Sequence, residues 1–248
     1  MIILKSREEI AKMRASNRII AEIMALLEEQ IKPGITTLEL DRFAESEIRK
    51  RGATPAFKGY LGFQHTLCVA PNEVVVHGIP NTVPLKEGDI LGIDCGVLYN
   101  GFYGDHARTF TVGQVSEKAK RIIQVGEEAL AAGIEAAQVG NRLFDISASI
   151  QAVAEKAGYS IVRDFVGHGV GTKLHEDPQV PNFGVAGTGL KLRAGLVLAL
   201  EPMINEGTAD VEVLKDGWTV VTRDRKLSVH VEHSVAITEN GPEILSIL

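Results

Sequence analysis

Gly88-Asp89-Ile90-Leu91-Gly92-Ile93-Asp94-Cys95-Gly96-Val97-Leu98-Tyr99-Asn100-Gly101-Phe102-Tyr103-Gly104-Asp105 is the stretch on which the fold turns. An apolar run meets Asn100-Gly101, a dipeptide suited to the positive φ angles of a two-residue hairpin turn, and a second strand follows through Val112. That turn pairs Tyr99 with Phe102 and sets Asp105 opposite Gly96. Alternation then puts Asp94, Gly96, Tyr103 and Asp105 on one face. Asp94 and Asp105 become diagonal neighbours, roughly 7 Å apart at Cα. Two carboxylates facing each other in an apolar hairpin repel unless a proton or a cation lies between them. The plainer alternative is one buried Asp capping a turn and one exposed Asp.

Working outward, a capping box, Ser6-x-x-Glu9, opens a helix with Ile10, Met13, Ile20, Leu27 and Ile31 on its apolar face, stopped by Pro33-Gly34. A second helix runs from about Thr37 to Gly52 on Leu40, Phe43, Ala44 and Ile48. Extended segments lie between Leu67 and Ile79. After Val112-Gly113 the pattern restarts. Ser116-Glu117 opens a helix to about Ala137, and another runs from about Arg142 to Gly158. Gly34 and Gly52 have the same spacing as Gly140 and Gly158, and Leu85-Lys86-Glu87-Gly88 matches Leu192-Arg193-Ala194-Gly195. With Gly88 on Gly195, Asp94 falls on Glu201. The expectation is a duplicated helix-helix-strand unit, an α+β chain forming one domain over 1–248. Its halves, 1–113 and 114–248, meet about a pseudo-twofold axis, with helices covering a curved antiparallel sheet.

Two further segments carry chemistry. Leu227 to Ile237 reads as one strand, with His230, Glu232 and Ser234 on one side and Val231, His233 and Val235 on the other. Glu232 in so apolar a strand is costly unless compensated. Phe165-Val166-Gly167-His168-Gly169-Val170-Gly171 leaves an imidazole unshielded between glycines. Each acid or imidazole taken alone is open to a structural reading, as a salt-bridge partner or a satisfied core group. Together, two Asp, two Glu and one His form an oxygen-rich donor set with a single imidazole, suited to Mn, Fe(II), Co or Zn in an open hydrolytic site. Four carboxylates overbalance one divalent ion. Two ions roughly 3.5–4 Å apart, sharing bridging carboxylates and a hydroxide, balance the charge and supply a nucleophile.

Composition bounds the rest. The chain is 45% hydrophobic and 23% charged, ordinary for a globular protein, and the formal charge of -6 argues against a nucleic-acid surface. Two cysteines, Cys68 and Cys95, are too few for a disulfide framework, which points to a reducing compartment. No signal-like apolar region follows Met1, and no apolar run nears the ~20 residues that span a bilayer. A soluble, cytoplasmic protein is expected.

These residues resemble the type I methionine aminopeptidases, metallopeptidases of the pita-bread fold, over essentially the whole chain. The resemblance rests on Asn72-Glu73-Val74-Val75-Val76-His77-Gly78-Ile79-Pro80, Ile93-Asp94 with Asp105, Gly167-His168-Gly169-Val170-Gly171 with His175-Glu176-Asp177-Pro178, Glu201-Pro202-Met203, Asp216-Gly217-Trp218-Thr219, and Glu232-His233. It implies two divalent ions. One is held by Asp94, Asp105 and Glu232; Asp105 and Glu232 bridge to a second, also held by His168 and Glu201. It further implies Glu201 as general base, His175 on the scissile carbonyl, His77 on the peptide, and a methionine pocket of Tyr60, Phe63, Cys68, Leu174 and Trp218. Relatives also hold a monovalent ion, Na or K, through carbonyls placed here near Asn72, Val74 and Ser228.

The implied activity is removal of the initiator methionine from peptides and nascent chains with a small second residue. The enzyme would be a monomer, with the ribosome a candidate partner. An Xaa-Pro peptidase and a non-catalytic peptide-binding relative are the alternatives. The chain departs from the family at His230, where many relatives carry Gln, and at Phe57 and Phe63, where Cys and Tyr are frequent. His65 and His106 read as surface or hydrogen-bonded structural residues, His233 as core, Cys95 as packing, and Glu45 to Arg51 as a solvated helix face.

Overall fold

The computed structural model describes residues 2–248. Ser6 caps α1 (Arg7–Gln30): its hydroxyl accepts from the Glu9 amide while the Glu9 carboxylate accepts from the Ser6 amide at 2.7 Å. A second box, Thr36 with Glu39, opens α2 (Thr37–Lys50). The two helices bury Ile20, Ile23, Met24, Leu27, Leu40 and Ile48 against a four-stranded sheet. Its strands are β1 (Thr54–Pro55), β2 (Leu67–Pro71), β4 (Ile90–Tyr99) and β5 (Phe102–Thr111); β3 (Val74–Val76) joins a different sheet. In the β4–β5 hairpin Tyr99 pairs with Phe102 and Gly96 with Asp105, the expected register.

The second half repeats this with α3 (Glu117–Ala136), capped by Ser116, and α4 (Leu143–Lys156). Its strands are β6 (Ser160–Ile161), β7 (Gly167–Gly169), β8 (Glu176–Val180), β9 (Val197–Leu200), β10 (Met203–Asn205), β11 (Val211–Val213), β12 (Val220–Thr222), β13 (Ser228–His230), β14 (His233–Thr238) and β15 (Gly241–Ile244). A five-stranded sheet, in the order β15-β14-β9-β7-β8, lies over a core that includes Ile122, Ile146, Ile150, Leu198 and Leu200. Two three-stranded sheets, β13-β10-β6 and β11-β12-β3, complete the strands, and every pairing is antiparallel. The duplication is visible in the backbone. Gly34 and Gly140 (φ +94° and +98°), Gly52 and Gly158 (+71° and +85°), and Gly88 and Gly195 (+93° and +94°) adopt matching left-handed conformations. The isolated bridges Thr36–Pro84 and Arg142–Lys191 also correspond.

One expectation fails. Leu227 to Ile237 is not a single strand: it breaks at Val231-Glu232, β13 staying with β10 while β14 crosses to pair with β9. The break lies beside β5, from which the Ala107 carbonyl accepts the Glu232 amide at 2.8 Å. Side chains complete this seam between the halves. Thr109 Oγ1 donates to the His230 carbonyl and Ser234 Oγ to the Asp105 carbonyl, both at 2.8 Å, and His106 Nδ1 donates to the Glu232 carbonyl.

Candidate metal centre

Each half delivers acids to the seam. Asp94 comes from β4, Asp105 from β5, His168 from β7, Glu201 from the residue after β9, and Glu232 from the break between β13 and β14. Oxygens of Asp94, Asp105 and Glu232 all lie within 4.8 Å of one another. His168 and Glu201 stand beside this trio: His168 Nε2 is 3.7 Å from Asp105 Oδ2 and 3.6 Å from Glu201 Oε1. His168 Nδ1 donates to the Gly169 carbonyl at 2.9 Å, which leaves the Nε2 lone pair facing the carboxylates.

The trio fits a cation. Asp94 Oδ1, Asp105 Oδ1 and Glu232 Oε1 are buried without any hydrogen-bond partner, and such an arrangement of acids is unfavourable without positive charge. Burial first, and then the neighbouring negative charges, push Asp105 and Glu232 well above the usual carboxylate range. Asp94 is raised to about 7, chiefly by burial, with Glu201 adding to the rise and His230 opposing it. Glu201 behaves differently. Burial acts to raise its pKa, but His230, His168 and His77 together outweigh it, and the net shift is downward.

Around the acids lies a cavity of about 320 Å³. His77, Cys68, Tyr60, Phe63, Leu174, His175 and Trp218, all expected in the site, line it together with Phe57. Phe63 and Trp218 meet edge to face with centroids 5.1 Å apart, and Cys68 and Leu174 are almost fully buried. This is an apolar slot with aromatic edges, the environment that favours a thioether. His77 sits at φ +59°, a strained conformation for a residue with a β-carbon, and its ring meets Phe165 edge to face. His175 Nδ1 is 2.9 Å from Tyr60 Oη. Burial, and then the charge of His168, lower His175 to about 4, while burial raises Tyr60. With the ring neutral and the phenol protonated, Tyr60 can donate to Nδ1, the tautomer that keeps the hydrogen on Nε2.

Several residues escaped the sequence reading. Asn182 Nδ2 donates to the Glu201 carbonyl at 3.0 Å, and Phe165 walls His77; both are invisible to spacing because their partners are distant in the chain. His230 is buried with Nε2 3.4 Å from Glu201 Oε2, although poorly aligned for a hydrogen bond. His106 is buried, its ring stacked on His233 with centroids 4.7 Å apart, and Cys95 lies in the core. His233 was expected in the core but is only half-buried, because its ring reaches out between His106 and Ser246 Oγ. His65 lies half-buried beside Asp41. Asn72 and Ser228 are brought together by a hydrogen bond from the Ser228 amide to the Asn72 carbonyl at 2.9 Å, while Val74 pairs with Val221.

Comparison with known proteins agrees with this geometry. Residues 11–239 match Metallopeptidase family M24. A methionine aminopeptidase from Clostridium perfringens is 57% identical over 248 residues, covering all of both chains. The crystal structure of methionine aminopeptidase from Rickettsia prowazekii superposes with a TM-score of 0.98 at 44% identity over all of both chains. A prolidase from Pyrococcus furiosus superposes with a TM-score of 0.80 at 26% identity, but this chain covers only 66% of it. The chain therefore belongs to Metallopeptidase family M24, with its pita-bread fold, and within that family to the methionine aminopeptidases.

Proposed function

We propose that this aminopeptidase releases N-terminal methionine from peptides and nascent chains whose second residue is small, using two divalent ions held by the seam residues. The observation that carries the reading is the trio of buried carboxylates with unpartnered oxygens beside a cavity with an apolar, aromatic lining. Asp94, Asp105 and Glu232 would hold one ion; Asp105 and Glu232, with His168 and Glu201, the second. Mn, Fe(II), Co and Zn all suit these donors. When bound, such ions supply a water acidic enough to attack a carbonyl at neutral pH.

The chain's own groups do the rest. Glu201, the one acid of the cluster whose pKa is lowered, stays ionised and takes the proton of the attacking water. His175, held neutral with Nε2–H free, donates to the oxygen of the scissile carbonyl as negative charge builds there. His77, neutral through burial, contacts the peptide and helps the proton taken up by Glu201 reach the departing nitrogen. Tyr60, Phe63, Cys68, Leu174 and Trp218 exclude water and seat the methionine side chain.

The same proposal takes the chain as one catalytic domain with its halves at 1–113 and 114–248, acting as a cytoplasmic monomer on chains emerging from the ribosome. Its support is the continuous seam and two free, buried cysteines; among the described residues no helix is long and apolar enough to cross a membrane. A Na or K ion at the carbonyls of Asn72, Val74 and Ser228 belongs to it as well. Its support is the hydrogen bond that draws Asn72 and Ser228 together.

The test is a peptide panel with the purified protein and each of the four metals. Release of methionine from Met-Ala-Ser with no turnover of Ala-Pro is expected. Turnover of Ala-Pro alone would replace the reading with an Xaa-Pro peptidase, and no turnover with any metal would overturn it.

A further inference from the structure

Lys5 is an unusual residue to find buried. Its side chain and that of Glu176 are each only 3% exposed, and the two form an ion pair. Burying two charges costs solvation that their attraction barely repays, so such a pair is weak evidence for added stability. What it does supply here is a single geometry. One oxygen of Glu176 takes the Lys5 ammonium; the other accepts the Lys173 amide at 3.2 Å. The carboxylate therefore closes the turn from Gly171 to Glu176 over itself, and the Gly171 amide donates to the Lys173 carbonyl at 3.1 Å.

Both ends of this clamp are anchored. On the Lys5 side, the backbone amide donates to the Gly195 carbonyl at 2.7 Å and Nζ also donates to the Ile3 carbonyl at 3.2 Å. On the loop side, the Gly171 carbonyl accepts the Tyr103 amide at 2.8 Å, tying the turn to β5 two residues before Asp105. The fit is close: a β-carbon at Gly171 would lie 2.5 Å from both Glu176 Oε1 and Lys5 Cε. The turn so held carries Leu174, which lines the cavity, and His175, whose ring stands 4.2 Å from that of His168.

We infer that the Lys5–Glu176 pair is a positioning device: the N-terminal arm, reaching across to the second half, fixes the 171–176 turn so that His175 and Leu174 are aimed before substrate arrives. Neither Lys5 nor Glu176 lines the cavity. They act through the backbone of the turn, and the inference rests on the proposed role of His175.

The test uses the full-length, metal-loaded enzyme as parent, Lys5→Met, Glu176→Gln and, as a control on the exposed face of α1, Lys12→Met. Steady-state hydrolysis of Met-Ala-Ser is read beside metal content and amide hydrogen exchange. A misaimed His175 lowers kcat on the order of tenfold or more in Lys5→Met and Glu176→Gln, with KM within about threefold of the parent. Metal content and exchange in β4 and β5 stay at parental levels, while the amides of 171–176 exchange faster; Lys12→Met matches the parent throughout. Should Lys5→Met not accumulate as a folded protein, Lys5→Arg is used, since a forked guanidinium keeps the charge but cannot reproduce the contacts of a single ammonium. Unchanged kcat in a folded variant with a lowered melting temperature would overturn the inference, leaving the pair a structural one. Loss of metal in step with activity would overturn it too. If the parent itself fails to release methionine, it is the proposed function that falls, and exchange at 171–176 still decides whether the pair holds the turn.

Discussion

At the scale of single residues, the site separates groups that must be charged from groups that must not. Asp105 is nearly fully buried among other acids, and its carboxylate is proposed to be shared between ions. Asp105→Asn is expected to lose activity to below detection with reduced metal content; full metal content with near-normal turnover would refute its role. His175 sits outside the acid trio and hydrogen-bonds Tyr60. His175→Ala is expected to keep its metal and lose on the order of 10²–10³ in kcat, checked by steady-state kinetics beside elemental analysis. The acids were legible in the sequence because each broke a local rule, a carboxylate in an apolar strand or an imidazole between glycines. Their partners were not. Tyr60 is 115 positions from His175 and Asn182 is 19 from Glu201, and nothing in chain order announces such meetings.

At the scale of elements, the hairpin was readable to the register because Asn100-Gly101 admits one tight turn and alternation does the rest. The recurring turns were readable because glycines needing positive φ stand at matching offsets. The break at Val231-Glu232 was hidden because local pattern sees only an apolar run; the reason for the kink is β5 lying alongside, in the other half. The matched glycines also differ in surroundings, and that difference predicts unequal costs. A β-carbon at Gly88 meets nothing closer than 3.8 Å, whereas at Gly195 it would lie 2.8 Å from the Lys5 carbonyl oxygen. Gly88→Ala should cost about 1–2 kcal/mol, the ordinary price of a left-handed residue, and Gly195→Ala distinctly more, as compared by thermal unfolding. Equal costs would mean that the packing at Lys5 yields easily.

At the scale of the whole molecule, the acid cluster sets how stability responds to pH when metal is removed. Asp94 in the folded chain titrates at about 7, above its usual value near 3.9. Its contribution is therefore complete below about pH 3.9 and fades as pH rises through about 7. His175 and His233, both lowered to about 4 mainly by burial, act in the opposite sense: their contribution is present above about pH 6.5 and fades as pH falls toward 4. The opposing contributions balance near about pH 7, so chelated protein should melt highest there and lose stability on either side, while metal-loaded protein keeps its melting temperature on the alkaline side. Asp94→Asn should raise the melting temperature of chelated protein at pH 8, by about 2–4 °C for each kcal/mol recovered. A chelated Asp94→Asn variant no more stable than its parent at pH 8 would contradict the raised value.

The seam has one more consequence. Each half keeps a large apolar core almost wholly its own, and the two are joined by smaller apolar clusters that draw on both, by the pairing of β3 with β12 and by hydrogen bonds along the seam. Asp94 and Asp105 lie on one side of the exposed Gly113-Gln114 junction; His168, Glu201 and Glu232 lie on the other. Nicking the backbone there would make hydrolysis a two-body affair. Dilution would switch such an enzyme off, and added divalent ion would lower the concentration at which its fragments find each other again.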